Sequence, residues 1–231
     1  MSAALSHLTS RQGFERDRAQ IRRLLLVMAG HVESMISASV RAFSTRDAEL
    51  ARHTIAVDAK VNRAECECDD LCLATLTAGG LSEADVRFVC LAMKMVVDLE
   101  RIGDLAVNVC ERAIDLAHEP PCRSYEDIHR MADLVKLMVR GAIDAFVNES
   151  AAAAEAVLLQ DNSVDALYDR VFGDILEMMQ SDAAAVHRGI HMQSVAKWLE
   201  RMADHSENLA EQVIFMLEGK DVRHPGRLAG R

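Results

Sequence analysis

Between residues 99 and 113 the chain sets two kinds of position at helical spacing. Leu99, Ile102, Ala106, Val109 and Ala113 recur every three or four residues and form one apolar face. Glu100, Asp104, Asn108 and Glu111, spaced 4, 4 and 3, fall on the other side. At 100° per residue they occupy an arc of roughly 80°. The arrangement returns at Met202, Leu209 and Val213, with Glu200, Asp204, Asn208 and Glu211 opposite. The pattern predicts two amphipathic helices whose acidic stripes face solvent or a groove and not the core.

Proline placement extends this reading to the whole chain. The three prolines are Pro120, Pro121 and Pro225, so the long stretches 1–119 and 122–224 can both be helical throughout. The Pro120-Pro121 pair near the midpoint marks the expected domain boundary. Capping signals divide each half. Ser44 with Asp47, Ser82 with Asp85, and Ser124 with Asp127 read as helix starts, as do Asn148 or Ser150 and Ser181 or Asp182. Gly79-Gly80 reads as a helix end. The expected helices run over 13–43, 45–78, 82–118, 124–148, 150–180 and 182–218. Short loops between long helices force antiparallel neighbours. The predicted fold is all-α: two pseudo-symmetric antiparallel three-helix bundles over 13–118 and 124–218, with a tail over 219–231.

The halves repeat. An offset of 100 aligns Leu99-Glu100-Arg101-Ile102-Gly103-Asp104 with Leu199-Glu200-Arg201-Met202-Ala203-Asp204, and Asn108 with Asn208. An offset of 103 aligns Met35 with Met138, Ala42-Phe43 with Ala145-Phe146, Asp58 with Asp161 and Val61 with Val164. The offset changes at the loop between second and third helices, where a structural repeat tolerates an indel.

Charge and composition narrow the function classes. The 231 residues carry a formal net charge of −10, with one Trp and two Tyr. A nucleic-acid binder needs a basic stripe and stacking aromatics, so this balance argues against one. It suits cations or basic partner surfaces. The longest uninterrupted apolar run, Leu24 to Ala29, is far short of a membrane span, and no signal peptide is read at the N-terminus. A cytoplasmic protein without direct membrane insertion is expected. The six cysteines match no secreted disulfide framework and read as reduced thiols. Cys66, Cys68 and Cys72 cluster on one helix, but no second pair completes a tetrahedral zinc set. They read as small, part-buried side chains. Mid-helix Gly103 reads as a close helix contact.

The middle helix of each half carries a second acidic stripe: Asp58, Asn62, Glu65 and Asp69 in the first, Asp161, Asp165 and Asp169 in the second. Carboxylates at i and i+4 repel, and a bound cation would remove that repulsion. All-oxygen ligation suits hard cations such as magnesium, manganese, calcium or iron. An outward acidic stripe is ordinarily a solvated face; its recurrence at equivalent positions is what singles it out here. Two alternatives stand beside the metal reading. One is a helical interaction scaffold whose stripes bind nothing. The other is a di-iron enzyme of the ferritin type, for which the only Glu-x-x-His match is Glu126-Asp127-Ile128-His129 at a helix start. No nucleophile elbow, phosphate loop or dinucleotide fingerprint is present, so no enzyme is expected.

The segments from Asp98 to Asn108 and from Leu199 to Asn208 resemble the paired signatures of the PhoU family, close to L-E-R-I-G-D-H-A-x-N-I. The ending from Glu218 to His224 also resembles that family's. The resemblance runs from about Phe14 to His224. It implies surface metal clusters and negative regulation of phosphate uptake and starvation signalling, through a phosphate ABC transporter (its ATPase subunit) and a sensor histidine kinase. It implies as ligands Asp58, Asn62, Glu100, Asp104 and Asn108 in the first half. In the second half they are Asp161, Asp165, Glu200, Asp204 and Asn208, with iron, manganese, zinc or magnesium as the ion. Leu105 stands where the signature has His, while His205 keeps it, and Met202-Ala203 replaces Ile-Gly. Asn62 interrupts the acidic pair that Asp161 and Asp165 keep. Long amphipathic helices point to self-association, with a homodimer expected.

Overall fold

The computed structural model describes residues 2–120 and 125–219, with side chains from residue 11 onward. Six long helices follow in order: α1 (Ser2–Thr45), α2 (Ala48–Ala78), α3 (Glu83–Asp115), α4 (Glu126–Val147), α5 (Ala151–Ser181) and α6 (Val186–Glu218). A one-turn 3₁₀ segment, Ala183–Ala185, precedes α6. No strand occurs among the described residues. Loops of a few residues make each consecutive pair within a half antiparallel.

The local chemistry accounts for the boundaries. Ser82 and Asp85 form the reciprocal capping box at the start of α3. Ser150, and not Asn148, caps α5 through its side chain. Asp182 caps the 3₁₀ turn and α6 itself begins at Val186. One expectation is corrected. Ser44 does not start α2; its hydroxyl bonds back to the Arg41 carbonyl at 3.0 Å, and Asp47 is the cap, accepting from the Leu50 N–H at 2.8 Å. The reason is that α1 ends in a left-handed residue, Arg46 at φ 59, which places Asp47 at the new helix start. The Ser124 cap falls outside the described residues, as do Cys122 and most of the tail. Helix α3 ends at Asp115, short of the expected 118.

The repeat reaches the backbone of the turns. Arg46 and Glu149, related by the offset of 103, are the two non-glycine residues with positive φ among those described, at 59° and 52°. Each is followed by the six-to-one bond of a Schellman ending, Asp47 N–H to Ala42 at 3.0 Å and Ser150 N–H to Ala145 at 2.9 Å.

Within each half the three helices pack on one another, and the halves join along two seams, α1 against α4 and α3 against α6. Helices α2 and α5 therefore flank the assembly. The bundles share one apolar cluster, with Leu99, Ile102, Val109, Met202, Leu209 and Val213 all fully buried as the periodicity requires. Residues Arg11–Thr45 of α1 are long and apolar enough to cross a membrane, a property that the short run Leu24 to Ala29 did not reveal. That apolar face lies in the protein core: Leu25, Met28, Val32, Met35 and Ile36 are buried. Gly103 is buried where a Cβ would meet Val61 at 3.5 Å and Asp58 at 3.6 Å, the expected close helix contact.

At the α3–α6 seam His205 does not join the acidic stripe of α6. Its Nδ1 lies 2.9 Å from Asp98, whose other oxygen accepts from Gln212 at 2.8 Å. The pseudo-equivalent of Asp98 is Trp198, over which Arg112 lies at 5.9 Å. The polar clasp at one end is thus matched by an aromatic one at the other, and Leu105, pseudo-equivalent to His205, is buried with no polar partner to serve. Asp98→Ala leaves His205 and Gln212 without their acceptor. The expected cost is about 1–3 kcal/mol, read by urea denaturation; a loss under about 0.5 kcal/mol would show the clasp to be solvent-compensated.

Candidate functional site

Antiparallel packing of α2 on α3 brings their acidic stripes into one seam, and α5 on α6 does the same in the second half. In the first, Asp58 and Glu65 of α2 face Asp104 and Glu100 of α3, with Asp69 beside Glu65 on α2. Burial pushes the Asp58 carboxyl above its ordinary value and the Asp104 charge adds to this, while an Asn62 amide donating at 2.9 Å opposes it. Glu65 is raised by burial, by Asp69, and by Asp104 and Asp58. Glu100 is raised by burial and by the Asp104 and Glu65 charges. Burial raises Asp69 as well. Arg101 partly compensates, 3.3 Å from Asp104 and 3.5 Å from Glu100. Oδ1 of both Asp58 and Asp69 is buried without a hydrogen-bond partner.

The second seam is more strained. Asp161 is pushed to about 6 by burial first, then by Glu207, Asp165, Asp204 and Glu200. Burial and Glu200 raise Asp204, and burial and Glu211 raise Glu207. Of three differences between the seams, the first adds to the repulsion and the other two relieve part of it. Glu207 stands where the first half has Val107, adding a charge. Tyr168 stands where the first half has Glu65; its hydroxyl accepts from Gln193 at 2.8 Å. Lys197 stands where the first half has Val97; it pairs with Glu200 at 2.5 Å and lies over the Tyr168 ring at 5.5 Å.

The expected site residues thus divide. Asp58, Glu100 and Asp104 converge on one seam, with Asn62 engaged by Asp58. Asp161, Asp165, Glu200 and Asp204 converge on the other. Asn108 and Asn208 lie half-buried further along α3 and α6, and Asp169 is exposed, away from these groups. The ligand set omitted Glu65, Asp69 and Glu207. The spacing of Glu207, three after Asp204 and four before Glu211, carried the signal for the last of these. Of the thiols, Cys68 and Cys72 are buried against each other, and burial pushes Cys110 to about 12, which suits unreactive core positions.

Both seams offer oxygen donors, some half-buried and some exposed, that repel one another. A hard cation would relieve the repulsion in such a row, and an unpaired carboxylate oxygen is a donor of the type such ions take. No group of three or more His, Cys, Asp or Glu closes on a single point among the described residues, so the donors form a row and not a finished cage. In the Glu-x-x-His segment, His129 faces Ser44 at 3.1 Å and Glu126 pairs with Arg130 at 2.6 Å.

Two three-helix repeats sharing a core, each with an acidic seam between its second and third helices, define a class of all-α repeat bundle. A PhoU domain model matches twice, over residues 25–113 and 128–213, and the chain belongs to the PhoU family. It is 34% identical over 224 residues to a phosphate-specific transport system accessory protein PhoU homolog of Pseudomonas putida, covering 96% of this chain and 87% of the relative. The PhoU homolog of Pseudomonas aeruginosa is 34% identical over 96% of this chain and 92% of its own. A crystal structure of PhoU from Pseudomonas aeruginosa superposes with a TM-score of 0.85 at 32% identity, covering 90% of this chain and all of that one. The phosphate transport system regulatory protein PhoU from Streptococcus pneumoniae shares the fold, with a TM-score of 0.83 at 23% identity over 90% of this chain and 99% of that one.

Proposed function

We propose that this chain is a non-catalytic adaptor that restrains phosphate uptake and holds phosphate-starvation signalling off while phosphate is ample. The observation that carries the reading is the double PhoU match with an acidic seam kept at equivalent places in both repeats. The relatives' names, accessory proteins of a phosphate-specific transport system, support the setting. The partners are the ATPase subunit of a phosphate ABC transporter and the cytoplasmic part of a sensor histidine kinase. Long exposed helix faces and a net charge of −10 suit basic partner surfaces. A homodimer fits the same reading, with Phe172 and Leu176 exposed one turn apart on α5 as apolar surface to cover.

The seams take part as cation sites. Asp58, Asn62, Glu100, Asp104 and Asn108 would hold an ion in the first half, and Asp161, Asp165, Glu200, Asp204 and Asn208 in the second. Magnesium, manganese, iron or zinc would neutralise the repelling carboxylates and set the charge each flank presents. The competing reading is a scaffold with solvated stripes, and among the described residues no closed three-ligand group speaks against it.

Deletion of the gene in phosphate-rich medium is expected to raise phosphate-responsive promoter activity and polyphosphate content. Unchanged expression with normal phosphate accumulation would count against the adaptor reading. Metal analysis of the purified protein separates the two views of the seams. Bound metal that falls in Asp104→Asn and Asp204→Asn supports the cation sites, and metal-free protein with no thermal response to these ions supports the scaffold.

A further inference from the structure

A second type of metal-competent cluster lies at the start of α6, away from both seams. His187 and His191, one turn apart, place their Nε2 atoms 3.2 Å from each other. Two imidazole nitrogens bound to one tetrahedral ion at about 2.05 Å are separated by roughly 3.3 Å. The rings stand at 71° to each other with centroids 4.6 Å apart, and the two Nε2 atoms meet at hydrogen-bonding distance, a contact that an ion between them would replace. On its far side His187 Nδ1 lies 2.6 Å from the Glu119 carboxylate. When Nδ1 carries the proton that Glu119 accepts, Nε2 presents its lone pair. A carboxylate that orients a histidine in this way is the usual support of a metal-bound imidazole.

From these contacts we propose that His187 and His191 bind one divalent late first-row transition ion, of the zinc, nickel or copper class, with Glu119 as the positioning residue. Water fills the remaining positions, since no third protein ligand joins the pair among the described residues. The surrounding charges permit a cation. Asp115 and Glu119 face His191, and Arg112, which opposes them, is paired with Asp115 at 3.1 Å and Glu111 at 3.7 Å. Burial, together with His187, also lowers the His191 pKa, which keeps the ring neutral as a ligand must be. Imidazole ligation selects borderline ions over magnesium or manganese, the reverse of the all-oxygen seams.

The site is not part of the repeat. The offset of 100 puts Arg87 and Leu91 at the equivalent places, so only the second half carries the pair. Glu119 belongs to the end of the first half and both histidines to the second. An ion held by the two histidines is tied to the end of the first half only through the His187–Glu119 contact.

The test uses the untagged full-length protein, with zinc as the probe, titrated calorimetrically near pH 7.5 in excess magnesium. A zinc-binding event that excess magnesium does not suppress is expected, and it weakens more than tenfold in His187→Ala and in His191→Gln. In Glu119→Gln it weakens about tenfold, and in Glu155→Gln, exposed near the start of α5 and outside every site described, it is unchanged. Copper(II) loaded at one equivalent should show electron-spin couplings from two imidazole nitrogens, reduced to one in either histidine variant. Helix content by circular dichroism controls for folding, which these surface substitutions leave intact. Wild-type zinc affinity in both histidine variants, or a copper spectrum with oxygen donors only, overturns the proposal.

Discussion

Asp161→Asn is expected to stabilise the metal-free protein at pH 7 by about 1–2 kcal/mol. The folded-state pKa of about 6 lies above the ordinary 3.8 because burial and four nearby carboxylates disfavour the charge. A carboxyl raised in this way contributes its stability below the unfolded value, and that contribution is lost as pH rises through the folded value. At pH 7 the native state therefore carries an uncompensated charge. The amide removes the charge while keeping the shape. The quoted gain is already discounted for the part-exposure of the side chain. It corresponds to a rise of about 2–8 °C in melting temperature for a chain of this length. The difference between variant and wild type should shrink as pH falls through 6 and vanish near 4, where both side chains are neutral. Calorimetry in chelator at pH 7 and pH 4.5 reads both arms. If the seam holds cations, adding manganese raises the wild type more than the variant, because the variant lacks a charged ligand. A variant no more stable than wild type at pH 7 would mean that Asp161 is fully solvated.

Phe146→Ala should be the most damaging single truncation at the joint between the halves, costing about 3–5 kcal/mol. Phe146 of α4 is fully buried and stacks on Phe88 of α3, with centroids 5.3 Å apart and planes 17° from parallel. Phe88 in turn meets Phe14 edge to face at 6.4 Å. Arg18 and Arg22 lie over the same Phe88 ring at 5.0 and 5.7 Å, and both guanidinium groups pair with Glu149. Removing the ring opens a cavity beneath this cluster and releases one of its walls, so neighbouring contacts weaken together. Guanidinium denaturation with helix content and tryptophan emission as separate probes measures it. The single tryptophan, Trp198, sits at the α3–α6 seam and reports the joint directly. A midpoint shift equivalent to less than about 1.5 kcal/mol would show that the halves hold together without the aromatic stack.

Helix number, the fully buried faces of α3 and α6, the capping box at Ser82 and Asp85 and the doubling of the chain were all determined by the sequence alone. These are local properties. Periodicity assigns each residue to a face within a turn or two, and a cap needs only partners three residues apart. The repeat was readable for the same reason, since equal local patterns demand equal elements. What the tertiary structure decided lies between elements. It put Asp47 rather than Ser44 at the start of α2, because Arg46 takes the left-handed conformation. It joined the two expected bundles into one core along α1–α4 and α3–α6. It brought the two stripes of each half into one seam and added Glu207 to the second, set His205 against Asp98, and set Glu119 beside a histidine pair 68 positions further on. Such pairings depend on the register and crossing of helices that pack as rigid bodies. That geometry is set by the interlocking of many side chains from distant segments, and no single stretch of sequence encodes it.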